Sequence, residues 1–113
     1  MAEYTAEMTA GDLSTIFDAS PFDSTDTESV LDGSWSCRMV VSVELGEGTP
    51  LIDRPVTDKT DDNRSFRCFI SPTESTGLIG TYSWTIQIEN LSISPPYRKE
   101  THIDLSVTKQ GAV

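Results

Sequence analysis

This chain of 113 residues has one histidine, two cysteines, few alanines, and no aliphatic run longer than Met39-Val40-Val41. The short apolar runs exclude a membrane-spanning helix. Two cysteines and one histidine fall short of the roughly four ligands of a structural zinc site, so no metal and no cofactor are expected. There is no Gly-x-Ser-x-Gly elbow, glycine-rich phosphate loop or His-Glu-x-x-His stretch. His102, the lone histidine, has no evident acid–base partner, so no enzyme is expected. The start of the sequence carries neither basic residues nor an apolar stretch, so no secretory signal is expected, and the protein is read as one made and kept in a cytoplasm. Scarce alanine with 14 serines and 14 threonines disfavours helix and suits strands and turns.

What the chain has in excess is negative charge. Eighteen acids against eight bases give a net charge of −10, a surface that repels phosphate backbones and anionic lipid, so no nucleic acid and no membrane partner is expected. The charge is uneven. Residues 1–32 hold eight acids and no lysine or arginine, and the remaining 81 hold ten acids and eight bases. The division predicts an acidic N-terminal arm, 1–32, and a β-sandwich domain, 33–113. Leu13, Ile16 and Phe17 fall at helical spacing after a candidate cap at Asp12, and Phe22 follows Pro21. The arm is open to three readings: a disordered leader, a segment that orders on a neighbouring subunit through Leu13, Ile16, Phe17 and Phe22, or a first strand of the body's own sheet.

The body alternates with period two. Trp35, Cys37, Met39, Val41 and Val43 share one face; Phe66, Cys68 and Ile70 share another; Tyr82, Trp84, Ile86 and Ile88 oppose Ser83, Thr85, Gln87 and Glu89. Ile103, Leu105 and Val107 close the pattern, which leaves His102 outward. Gly46–Pro50, Asp58–Asn63, Ser71-Pro72-Thr73 and Pro95-Pro96 interrupt it as turns. Short strands between turns predict an all-β, antiparallel sandwich or small barrel. Leu78-Ile79-Gly80-Thr81-Tyr82 has the form of a tyrosine corner, whose hydroxyl satisfies backbone at an inter-sheet crossing. That form favours a Greek-key, immunoglobulin-like sandwich carrying an extended acidic N-terminal arm. Trp35, Cys37, Tyr82 and Trp84 are the expected structural core.

Cys37 and Cys68 lie 31 residues apart on expected core faces, either as buried reduced thiols or as a cross-link between facing sheets. Asp53, Asp58, Asp61, Asp62 and Asn63 crowd one stretch without the spacing of a regular calcium loop, so a solvated loop is expected. Arg64, Arg67, Arg98 and Lys99 are the main basic features; they are either scattered surface charges or partners for the acidic arm of a neighbour.

In the stretch Phe66–Ile70, then Thr73-Glu74-Ser75-Thr76-Gly77-Leu78, then Gly80-Thr81-Tyr82-Ser83-Trp84-Thr85-Ile86-Gln87-Ile88, the body resembles the small all-β domains of tailed-bacteriophage virions: immunoglobulin-like decoration modules and the N-terminal domain of baseplate upper proteins. The resemblance covers about residues 33–109, and the acidic segment has no counterpart in it. It implies a virion protein with no catalytic residues, assembled in a host cytoplasm, whose partners are the major capsid protein or other virion proteins. It also implies a capsid decoration (cement) protein, with Leu13, Ile16, Phe17 and Phe22 as apolar anchors, Arg98 and Lys99 as rim charges, and a homotrimer at a local threefold axis as one arrangement. The alternatives are a tail, neck or baseplate adaptor and a carbohydrate-binding module using Tyr4, Phe69 or Tyr97.

Overall fold

The computed structural model describes residues 4–11, 14–23, 25–43 and 50–108. Seven strands and one helical turn follow in the order β1 (Tyr4–Thr9), β2 (Thr15–Ala19), β3 (Ser36–Ser42), β4 (Ile52–Pro55), β5 (Phe66–Ile70), α1 (Pro72–Ser75), β6 (Gly80–Asn90) and β7 (Tyr97–Thr108). The all-β expectation holds. The strands make a five-stranded sheet, ordered β1-β7-β6-β3-β4, and a two-stranded sheet, β2-β5.

Alternation builds the larger sheet. Trp84, Ile86 and Ile88 of β6, Ile103, Leu105 and Val107 of β7, and Cys37, Met39 and Val41 of β3 all turn inward and are buried. Antiparallel register sets Met39 opposite Ile86 and Trp84 opposite Ile103, so neighbours on the inner face touch across strands. Phe66, Cys68 and Ile70 of β5 come from the smaller sheet and join the same hydrophobic cluster. The alternate positions of the large sheet (Thr81, Ser83, Thr85, Gln87, Glu89, and Arg38 beside Asp53) form a polar outer face. His102 lies there too, 3.3 Å from the Thr85 hydroxyl.

Several expectations are corrected. The large sheet is mixed, because β1 runs parallel to β7, with Tyr4 opposite Ile103 and Thr9 opposite Thr108. The helix read from Ile16 and Phe17 is instead the strand β2, antiparallel to β5, with Phe17 opposite Cys68; Leu13 and the cap at Asp12 lie outside the described residues. Two stretches of the segment expected as an arm are therefore woven into both sheets, and Leu31 is buried against the body. Of the expected core, Cys37 and Trp84 are buried, whereas Trp35 precedes β3 and is half-buried, as is Tyr82. Val43, expected inward, lies just past β3 and is exposed.

Local chemistry fixes the connection from β5 to β6. Ser71 caps α1: its hydroxyl accepts from the Glu74 amide at 3.1 Å, and the Ser71 amide donates to the Glu74 carboxylate at 3.0 Å, with Pro72 opening the turn. Gly80, at φ +126°, makes the bend into β6 that an L side chain would strain. The Tyr82 hydroxyl then donates to the Ile79 carbonyl three residues back, at 3.0 Å.

Candidate functional site: the loop end

Three connections meet at the end of the molecule where β3 begins and β6 turns into β7: residues 20–35, 57–65 and 91–96. Backbone and side-chain bonds stitch the first two together. The Leu31 amide donates to the Asn63 carbonyl at 2.7 Å, Lys59 Nζ to the Leu31 carbonyl at 3.3 Å, and the Ser20 hydroxyl to the Arg64 carbonyl at 2.7 Å. Arg64 carries the most: its guanidinium donates to the carbonyls of Ser29 (2.6 Å) and Asp26, and lies 5.4 Å over the Phe22 ring. A guanidinium in this role orders a loop that has no secondary structure of its own.

Asn90 ties in the third connection. It is 2 % exposed, and its amide donates to the Ser34 hydroxyl at 2.9 Å while its carbonyl accepts from the Ser92 amide at 2.9 Å. Beneath the loops runs an aromatic chain, Phe22 against Trp35 (5.6 Å) and Trp35 against Tyr97 (5.3 Å), both edge-to-face. On this rigid base the tips are apolar and open: Leu91 is 66 % exposed, Val30 52 % and Ile93 44 %.

The 20–35 and 57–65 connections are rich in carboxylates. Asp23 is held below the ordinary carboxylate range by hydrogen bonds from Thr25 and the Asp26 amide, and Asp26 by bonds from Ser29. Bonds from Ser34 lower Asp32, and bonds from Thr60 and the Arg64 amide lower Asp62. All four stay ionised well into acid. In residues 57–65 and the described part of 20–35, Asp23, Asp26, Glu28, Asp32, Asp58, Asp61 and Asp62 outnumber Lys59 and Arg64. The loop end thus combines exposed apolar side chains with an excess of carboxylates, suited to a partner that offers apolar contacts and basic groups.

The residues expected as anchors are placed differently. Phe17 points inward, 5.1 Å from Tyr4 and 6.4 Å from Trp84, and Phe22 belongs to the aromatic base. Ile16 is exposed on the outer face of β2, away from the loops. Arg98 is exposed and pairs with Glu89 at 2.8 Å across the β6–β7 register; Lys99 is exposed one residue on. Arg67 and Arg64 meet N-terminal acids within the same chain, Arg67 with Asp18 at 3.0 Å and Arg64 with Asp26 at 3.8 Å. Leu91, Ile93 and Asn90 were not singled out from the sequence. Two isolated apolar residues beside a Pro-Pro turn carry no periodicity.

Two further contacts link the sheets. Arg54 of β4 reaches across the edge to the Phe69 carbonyl (2.6 Å) and Glu74 (3.0 Å), with its guanidinium 4.8 Å over the Phe69 ring. In the core, Cys37 of β3 and Cys68 of β5 are both free and buried. A hydrogen bond with the Cys37 thiol, together with burial, pushes the Cys68 thiol far up, so Cys68 is held protonated.

No family model matches this chain, and no curated protein matches it either.

Proposed function

We propose that this chain is a non-enzymatic structural protein of a tailed-bacteriophage virion, an immunoglobulin-like Greek-key sandwich of the capsid-decoration type that docks on the major capsid protein through its loop end. The observation that carries the reading is the apolar tip of Val30, Leu91 and Ile93, exposed on a base of packed aromatics and stitched loops. Exposed apolar tips on a rigid support cost solubility and are what a protein interface uses. The immunoglobulin-like reading is supported by a first strand parallel to the last, by the sheet order, and by the Tyr82 hydroxyl bond at the entrance to β6. The virion reading is supported by the resemblance of residues 33–109 to phage decoration modules. The docking role moves from Phe17 and Phe22 to the exposed loop residues, because both rings are used inside the molecule.

The test is co-sedimentation of the purified chain with shells of the major capsid protein of the virus that encodes it, with copies per particle counted by quantitative mass spectrometry. Saturation in many copies over the shell is expected. Leu91→Asp combined with Ile93→Asp should remain in the supernatant while keeping its thermal transition. No co-sedimentation overturns the capsid reading, and recovery as a single ring per particle makes the protein a tail or neck adaptor. A variant that binds as the parent does removes the loop end from the interface.

A further inference from the structure

We propose that Cys37 and Cys68 are a built cross-linking site, in which a disulfide oxidant closes a bond between the two sheets. This goes beyond the docking function and does not depend on it. Cys37 projects from the inner face of β3, which lies between β6 and the edge strand β4 of the five-stranded sheet, and Cys68 from the inner face of β5 in the two-stranded sheet. They are 5 % and 0 % exposed, belong to one hydrophobic cluster, and are the only two cysteines in the chain. The Cys68 thiol also sits 3.9 Å from the Phe66 carbonyl of its own strand. Two inward-facing cysteines, one from each sheet and both in the same buried cluster, are the arrangement that an inter-sheet bond requires.

The chemistry is ordinary exchange. One cysteine thiolate attacks an external disulfide of the glutathione class, forming a mixed disulfide and expelling one thiolate. The second cysteine thiolate displaces the remaining glutathione, giving the Cys37–Cys68 bond and two reduced thiols in all. Because both sulfurs are buried in the folded chain, out of reach of an external disulfide, the reaction runs during folding or in an opened state. The finished bond is then shielded from reductants by the same packing. The cross-link closes the loop that contains β4 and the 57–65 connection, and so constrains the unfolded chain.

The test uses the full chain, unfolded in guanidinium and refolded either in reduced glutathione or in a mixture rich in glutathione disulfide. Intact mass, free-thiol titration and thermal unfolding are read on the monomer. Expected are a loss of two hydrogen masses, no free thiol, and a transition higher by about 10 °C. Cys37→Ala and Cys68→Ala should each show no dependence of the transition on redox conditions. These variants guard against a general solvent effect, and a chain that failed to fold would be seen in the reduced arm. Two persisting free thiols, glutathione adducts, bridged pairs of chains, or an internal bond that leaves the transition unchanged or lower would each overturn the proposal.

Discussion

Deleting residues 1–10, and separately residues 1–28, distinguishes a tethering arm from structural strands. The shorter deletion removes β1, with Met8 8 % and Ala10 5 % exposed and Ala6 half-buried. Burying a methionine contributes about 1.5–3 kcal/mol and each further methyl about 0.8 kcal/mol, so the strand is worth roughly 3–5 kcal/mol. With an m-value of about 1–2 kcal/mol/M in urea, the midpoint should fall by roughly 2–4 M. The longer deletion also removes β2, with Phe17 and Ala19, and uncovers Phe66, Cys68 and Ile70 on the strand it pairs with. Each uncovered large side chain forfeits about 1.5–3 kcal/mol. The sum reaches the whole stability of about 5–15 kcal/mol that a domain of this size has. The 1–28 deletion should therefore show no cooperative transition in far-UV circular dichroism or tryptophan fluorescence. Should it unfold cooperatively, with a midpoint within about 0.5 M of the full chain, residues 1–28 are a dispensable arm and the strand assignment of β1 and β2 is refuted.

Tyr82→Phe removes only the bond to the Ile79 carbonyl and should cost about 1 kcal/mol in urea unfolding; no measurable cost would show that bond to be idle. Arg54→Lys should lose about 1–2 kcal/mol despite keeping the charge, since an ammonium does not reproduce the paired contacts to the Phe69 carbonyl, Glu74 and the Phe69 ring; parity with the parent would refute a geometric role. Asn90→Ala should cost about 2 kcal/mol and raise hydrogen exchange across 91–96, because both its bonds to neighbouring loops disappear. In acid, Asp23, Asp26, Asp32, Asp53 and Asp62 are all held below their ordinary value of 3.8, so folding depresses their pKa. Their contribution is complete above that value and lost as pH falls through the lower folded values. Denaturant midpoints should stay flat from neutrality to about pH 4 and drop below it; a decline already complete by pH 5 would contradict this.

Where the periodicity is long, the sequence is easily read: β6 and β7 run eleven and twelve residues, and apart from the half-buried Tyr82 their expected inward residues are buried. β1 was harder. Its alternation of Ala6 and Met8 with Thr5 and Glu7 is short, it lies in an acid-rich stretch, and its partner β7 is about a hundred residues away in a parallel pairing that no local turn announces. Ile16 and Phe17 fit a helix and a strand equally well over five residues, and pairing with β5 decided between them. The Ser71-Pro72-Thr73-Glu74 capping box was present in the sequence as a helix start and was read only as a strand break. The loop end was legible in its parts, since Asp23, Asp26 and Asp62 sit among turn-forming residues. Its assembly was not, because Asn90 and Arg64 act across gaps of 56 and 35 residues.

The parallel pairing of β1 with β7 has a mechanical meaning. A pull on the residue before Tyr4 and a pull on the residue after Thr108 act along the same axis in opposite directions, parallel to both strands. All six registered pairs, from Tyr4–Ile103 to Thr9–Thr108, then bear load together in shear and cannot unzip one at a time. Tension applied through the two flanks of the chain meets its firmest resistance at this seam, ahead of the hairpin between β6 and β7, which such a force reaches only after the seam has slipped.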